Sequence, residues 1–111
     1  MTDSVDGVNV LVSELANDAG MVELVEMFVN ELPDKVAAIK KAMEDQDFEA
    51  LRALAHQLKG SGGGYGFPAI TKAAAEIEAT TKADRDLRKL TAEVAELTSL
   101  CDRAKATSSM G

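Results

Sequence analysis

The 111-residue chain predicts an all-α fold, an antiparallel up-and-down four-helix bundle with a short additional N-terminal helix. Three features point there. The chain is rich in Ala, Leu, Glu, Lys and Met, all favourable inside helices. Its apolar residues recur in steps of three and four over long stretches. Its breakers are few and localised: Pro33, Pro68, and glycines concentrated between Gly60 and Gly66. The one short alternating run, Val8-Asn9-Val10-Leu11-Val12, is ambiguous and is assigned to the leading helix.

The clearest element follows it. Val22, Val25, Val29, Leu32, Val36, Ile39 and Met43 form one apolar seam that passes Pro33 without losing phase. The seam predicts a single helix from about Asp18 to Asp45, kinked near Pro33, with two helices broken at the proline as the alternative. Asp47 is suited to cap the next helix, with Glu49 in its first turn. Leu51, Leu54, Leu58 and Tyr65 make its apolar stripe, and the glycines after Lys59 weaken its end. Pro68 is a favourable first residue for another helix, with Ile70, Ala73, Ala74 and Ile77 turned inward. A last helix is expected from about Asp86 to Lys105, with Leu87, Leu90, Val94, Leu97, Cys101 and Ala104 inward. Residues 107–111 read as a frayed tail. The whole length, residues 1–111, suits one domain with a single core.

Composition removes several function classes. The chain has 19 acidic and 12 basic residues, a formal charge of −7, which argues against nucleic-acid binding. One Cys excludes an internal disulfide, and one Cys with one His excludes the common zinc sets. No apolar run reaches the length of a membrane span, and the acidic N-terminus lacks the layout of a signal peptide. A soluble, cytoplasmic protein with no membrane partner is expected. Cys101 lies on an apolar seam and reads as a small core residue, not a nucleophile.

His56, the only imidazole, is out of place for a core residue. At about 100° per residue it points roughly 170° away from the Leu51-Leu54-Leu58 stripe. Arg52 lies one turn before it, Lys59 and Gly60 one turn after, and Gly63 falls on the same side. Two cations beside a single outward histidine on an acidic protein make a local anion site. The plainer alternative is a solvated histidine among ordinary surface charges. Gly60 costs about 1 kcal/mol relative to Ala inside a helix. That cost has a use if the missing side chain leaves room for a flat partner surface to reach the ring. The alternative is that Gly60 begins the fraying of the helix.

The run Ala55-His56-Gln57-Leu58-Lys59-Gly60-Ser61, followed by Gly66, resembles the H-x-L-K-G-S signature of histidine-containing phosphotransfer (HPt) domains. Glu31-Leu32-Pro33, Asp47-Phe48-Glu49-Ala50-Leu51 and the helix through Ile77-Glu78 also look like that family. Recognisable motifs cover about Met21 to Lys82. The resemblance implies a helical bundle that shuttles a phosphoryl group between receiver aspartates of two-component signalling proteins. By that resemblance His56 is the phosphorylated residue, Lys59 stabilises the phosphoryl group and Gly60 leaves room for it. The partners implied are response-regulator receiver domains and a hybrid sensor histidine kinase. No cofactor of its own is expected, Mg²⁺ being held by the receiver, and no ATP-binding domain fits in the remaining length. Gly62-Gly63-Gly64 is richer in glycine than the usual continuation, and Tyr65 stands where an aliphatic residue is commoner.

A free imidazole titrates near 6.5, so it is largely neutral and nucleophilic near neutral pH. Nε2 is the expected attacking atom. In-line displacement at phosphorus needs positioning and charge neutralisation more than acid–base chemistry. Lys59 is the expected cation and Arg52 a weaker assistant. The other ring nitrogen needs an acceptor that fixes the tautomer. On the helix after Pro68, Thr71, Ala75, Glu78 and Lys82 share one flank; Glu78 is the candidate acceptor and Lys82 a candidate second cation. An i,i+4 surface ion pair between them is the alternative. The Ser61 hydroxyl is expected to bond back to the Gln57 carbonyl. Phe48 and Ala53 are the expected apolar contacts of a docking surface around His56.

Three rival functions are weaker. A nucleotide-binding loop at the glycines lacks a preceding strand and a following Gly-Lys-Ser/Thr. A metal-binding bundle lacks paired Glu-x-x-His motifs. A non-catalytic adaptor bundle in signalling is the main alternative, and it makes His56 incidental.

Overall fold

The computed structural model describes residues 10–107. In chain order these form β1 (Leu11–Val12), α1 (Ala19–Glu44), α2 (Phe48–Gly62), a single 3₁₀ turn (Gly63–Tyr65), α3 (Pro68–Lys82), α4 (Leu87–Arg103) and β2 (Ala104–Lys105). Each helix packs on the next and α1 returns to α4, which closes a ring of four around one core. The α2–α3 pair forms the most extensive of these interfaces.

Local chemistry accounts for the helix limits. Asp18, Asp47 and Asp86 cap α1, α2 and α4, each carboxylate accepting from amides of the first turn. Pro68 opens α3, where its missing N–H is no loss. α1 runs unbroken through Pro33. The seam explains this: Leu32 and Val36 on either side of the proline are both buried, and that packing holds the helix together where the proline removes a hydrogen bond.

The core is built from Val25, Phe28, Leu32 and Ile39 of α1, Leu51, Ala55 and Leu58 of α2, Ile70, Ala74 and Ile77 of α3, and Leu90, Leu97 and Cys101 of α4. Each fully buried Leu or Ile contributes about 1.5–3 kcal/mol of transfer free energy. Phe28 and Ala42 are buried although they lie beside the predicted seam, whereas Val22, Val29 and Met43 on it are only half-buried. The α1 surface facing the bundle is therefore rotated slightly toward Phe28, whose ring stacks on Tyr65 at 4.6 Å and on Phe67 at 6.1 Å.

Three expectations are corrected. The leading segment is not helical at Val10, Leu11 or Val12. Leu11 and Val12 pair in parallel with Ala104 and Lys105, and Ser13 N–H donates to the Lys105 carbonyl at 3.0 Å. Backbone pairing with β2 satisfies this segment, which suits a β-branched valine. For the same reason the last helix stops at Arg103, not Lys105, since the next two residues are extended to make the ladder. Leu87, predicted inward, is 42% exposed because it is the first helical residue beyond the Asp86 cap. Val8, Asn9 and residues 108–111 of the expected frayed tail lie outside the described residues, and Thr107 is half-buried.

Ser13 also ties this end of the chain to the loop after α2. Its hydroxyl donates to the Tyr65 carbonyl at 2.7 Å, and Glu14 N–H donates to the Gly66 carbonyl at 2.8 Å. Gly66 has φ +87°, and a Cβ there would run into the Ser13 hydroxyl and sit 2.8 Å from the Glu14 amide. Only glycine satisfies both the left-handed backbone and this close approach.

Candidate functional site

His56 stands on the outer face of α2 with 66% of its side chain exposed. Across the α2–α3 interface its Nδ1 lies 2.9 Å from Glu78 Oε2. Glu78 is 7% exposed and collects two more partners: Lys59 Nζ at 2.7 Å from Oε1 and Lys82 Nζ at 3.4 Å from Oε2. Hydrogen bonds from Lys59 first and His56 second, with Lys82 adding to them, outweigh the opposing effect of burial and lower the Glu78 pKa to about 2.

The tautomer follows. A carboxylate ionised at neutral pH can only accept, so the proton in the His56–Glu78 bond belongs to Nδ1. In the neutral ring it is then Nε2 that carries the lone pair. The ring is anchored at one nitrogen and bare at the other.

Of the residues singled out by sequence, the structure brings His56, Lys59, Glu78 and Lys82 into one cluster. Gly60 is exposed and a Cβ there would meet nothing within 4 Å. Gly63 lies at the end of α2, and its amide donates to Thr71 Oγ1 at 2.7 Å. Arg52 does not join the cluster. It pairs with Glu49, three residues before it on α2, and Arg85 reaches the same carboxylate at 3.3 Å. The nearer carboxylate captures the guanidinium, so the expected anion site loses one of its two cations. Ser61 Oγ donates to the Gln57 carbonyl at 3.1 Å.

The apolar surface also differs from expectation. Phe48 is half-buried, with the Arg85 guanidinium 5.3 Å above its ring. Ala53 is exposed. Sequence reasoning missed Leu24 and Met27, which are 47% and 56% exposed on α1. They border a groove that reaches Phe28, Glu31, Tyr65 and Ser61, the residue after Gly60. Two large apolar side chains three apart on an exposed helix flank were the available signal.

Among the described residues no group of three or more His, Cys, Asp or Glu is placed to hold a metal ion, and no helix is long and apolar enough to cross a membrane. Cys101 is buried, and burial pushes its thiol up to about 11, which keeps it protonated and inert at neutral pH.

The chain is thus a small helical bundle that offers solvent one imidazole, held at Nδ1 by a buried carboxylate. The family model described as "Hpt domain" matches residues 23–107, and the chain belongs to that family. No curated protein and no solved structure matches at a significant level. Hpt domains are phosphotransfer modules, not kinases, and they work with receiver domains and kinases in two-component phosphorelays. A role in phosphorelay signalling follows for this chain.

Proposed function

We propose that His56 accepts a phosphoryl group from a receiver-domain aspartyl phosphate, or from a kinase, and passes it to the aspartate of another receiver. The observation that carries this is the exposed ring held at Nδ1 by Glu78. Nε2 attacks phosphorus in line. The N–P bond forms as the bond to the aspartyl oxygen breaks, and the aspartate leaves as a carboxylate. Nδ1 keeps its proton throughout, so no proton need be moved at the ring. The reverse step, onto a second receiver, uses the same geometry. The receiver supplies Mg²⁺ and the rest of the active site.

Lys59 is the cation within reach of the transferred group, since its flexible stem can swing Nζ from Glu78 toward phosphate oxygens. Gly60 leaves the approach to the ring open. Leu24, Met27 and their groove serve as apolar contacts for the docked receiver. The short link between α1 and α2 supports an antiparallel, up-and-down order of the helices, which brings α1 alongside the His56-bearing helix.

The test is direct. The protein is mixed with a phosphorylated receiver domain and examined for acid-labile, base-stable phosphate. The wild-type chain should become labelled and His56→Gln should not. Label on the His56→Gln protein would sink the assignment.

A further inference from the structure

The end of α2 poses a physical problem. Gly60, Gly62, Gly63 and Gly64 fall within five positions, and each glycine costs a helix about 1 kcal/mol relative to Ala. Yet α2 continues through Gly62, past the turn that carries Lys59 and Gly60. Something outside α2 must hold that turn.

Thr71, in the first turns of α3, does so. Its hydroxyl accepts from Gly63 N–H at 2.7 Å and donates to the Lys59 carbonyl at 2.8 Å. A continuing α-helix would join these two groups directly. Here the threonine hydroxyl bridges the two groups, a side chain of one helix tied to the backbone ladder of its neighbour. The approach needs Gly62. A Cβ at that position would lie 2.9 Å from Thr71 Oγ1, 3.1 Å from Ile70 Cγ2 and 3.1 Å from the Thr71 amide. The start of α3 reinforces the junction, with Phe67 N–H donating to the Gly62 carbonyl at 2.8 Å.

We propose that Thr71 is a positioning residue for phosphoryl transfer, its hydroxyl fixing the backbone of Lys59 and hence the reach of the Lys59 ammonium toward Glu78 and the group on His56. The proposal rests on the reading of His56 as the phosphoryl acceptor. Its structural half does not. Lys59 meets Glu78 at 2.7 Å from a backbone that the glycines after it cannot hold. Thr71 is a single hydroxyl on the same flank of α3 as Glu78, two turns earlier, so one rigid helix carries both the clamp on Lys59's backbone and the partner of its side chain.

The experiment uses the full chain and three variants. Thr71→Val removes the hydroxyl and keeps the shape. Thr71→Ser keeps the hydroxyl. Thr71→Ala is the second deletion, expected to behave like Thr71→Val. The first readout is the titration of the Glu78 carboxyl by carbon NMR. The charged groups facing it are His56 and Lys59 from α2 and Lys82 from its own helix. In the wild type Glu78 should titrate near 2, and loosening Lys59 should move it up toward the ordinary 4.5 in Thr71→Val but not in Thr71→Ser. A Thr71→Val midpoint equal to the wild-type one, or a wild-type midpoint already near 4.5, overturns the proposal.

The second readout is the transfer rate. Thr71→Val should be slowed by about five- to tenfold, the scale of one hydrogen bond, with Thr71→Ser restored to near the wild-type rate. In a Lys59→Ala background the same change should have no further effect. An undiminished rate, or full slowing on top of Lys59→Ala, overturns it. A wild-type protein that never accepts phosphate would overturn the function, while the Glu78 titration would still decide whether Thr71 places Lys59.

Discussion

Glu49 and Glu78 are two carboxylates that each gather two side-chain cations at the α2–α3 side of the bundle. Glu49 takes Arg52 and Arg85, and Glu78 takes Lys59 and Lys82. The charge count is the same and the consequences differ. Glu49 is 67% exposed, so water screens its pairs and they hold little in place. Glu78 is 7% exposed, and an ionised oxygen removed from water must keep its partners. It also has a third partner, the His56 ring, that Glu49 lacks. Burial turns one carboxylate into an anchor, whereas the other remains a surface charge. The Arg85 guanidinium spreads its contacts over Glu49, the Thr81 carbonyl and the Phe48 ring.

The contrast can be broken most directly by deleting each carboxylate. Glu78→Ala frees Nδ1, so the ring can rotate and either nitrogen can carry the proton. Transfer to His56 should fall by roughly ten- to hundredfold, the usual effect of losing a carboxylate that orients a functional imidazole. Glu49→Ala should leave the rate within about twofold, as for other screened surface pairs. Equal losses in the two variants would mean that burial is not what distinguishes them.

Acid titration sharpens the same comparison. The Glu78 pKa is about 2 in the folded chain against 4.5 for the free group, so the unfolded chain binds the proton more tightly. Stability from this group is fully present above pH 4.5 and is lost as pH falls toward 2. Urea midpoints measured from pH 5 to pH 2 should therefore drop through that window, and the drop should be shallower in Glu78→Gln. The Glu49 carboxyl is also held low, by Arg52 first and then Arg85, but its exposure predicts that Glu49→Gln changes the acid limb less.

A third variant separates stability from transfer beside the Glu78 cluster. A Cβ at Gly60 meets nothing, so Gly60→Ala should raise stability by roughly 0.5–1 kcal/mol through helix propensity. Gly60→Gln should retain the helical fold and slow transfer, because the longer side chain would stand where the receiver approaches. Circular dichroism with the label-transfer rate checks both. Normal transfer in Gly60→Gln would remove the steric role of this glycine.

Most of the helical framework was legible from sequence, because it rests on local rules. The seam from Val22 to Met43 carried α1 through Pro33, Asp47 marked the start of α2, and Pro68 marked the start of α3. Glu78 was also within reach, because helical spacing alone puts it on one flank with Thr71 and Lys82. The parts that escaped depend on which elements meet in space. Nothing near Leu11 reveals that its backbone partner is Ala104, so from sequence alone the short alternating run from Val8 to Val12 reads as part of a helix. Thr71 stood on the right flank, but its placement in the ladder of α2 depends on the closeness that Gly62 allows, a distance between helices. Periodicity fixes direction around a helix axis and carries no information about how near the neighbouring axis lies.

Arg52 is the sharpest case, and its removal is the smallest effect expected. By helical spacing it lies one turn before His56, as Lys59 lies one turn after, and spacing alone makes the two cations equivalent. Their carboxylates separate them. Lys59 has no acidic residue within a turn of its own helix, so the buried Glu78 of α3 claims it. Arg52 has Glu49 three residues before it, and the exposed local pair wins over any longer reach toward the histidine. Arg52→Gln should thus change the transfer rate by less than about twofold, within the range of an exposed pair, whereas Lys59→Gln should slow it by about tenfold or more. The ratio of the two rates, measured with one receiver at one ionic strength, is the decisive quantity. A ratio near one would place Arg52 back beside the phosphoryl group and would mean that the Glu49 pair opens when the receiver docks.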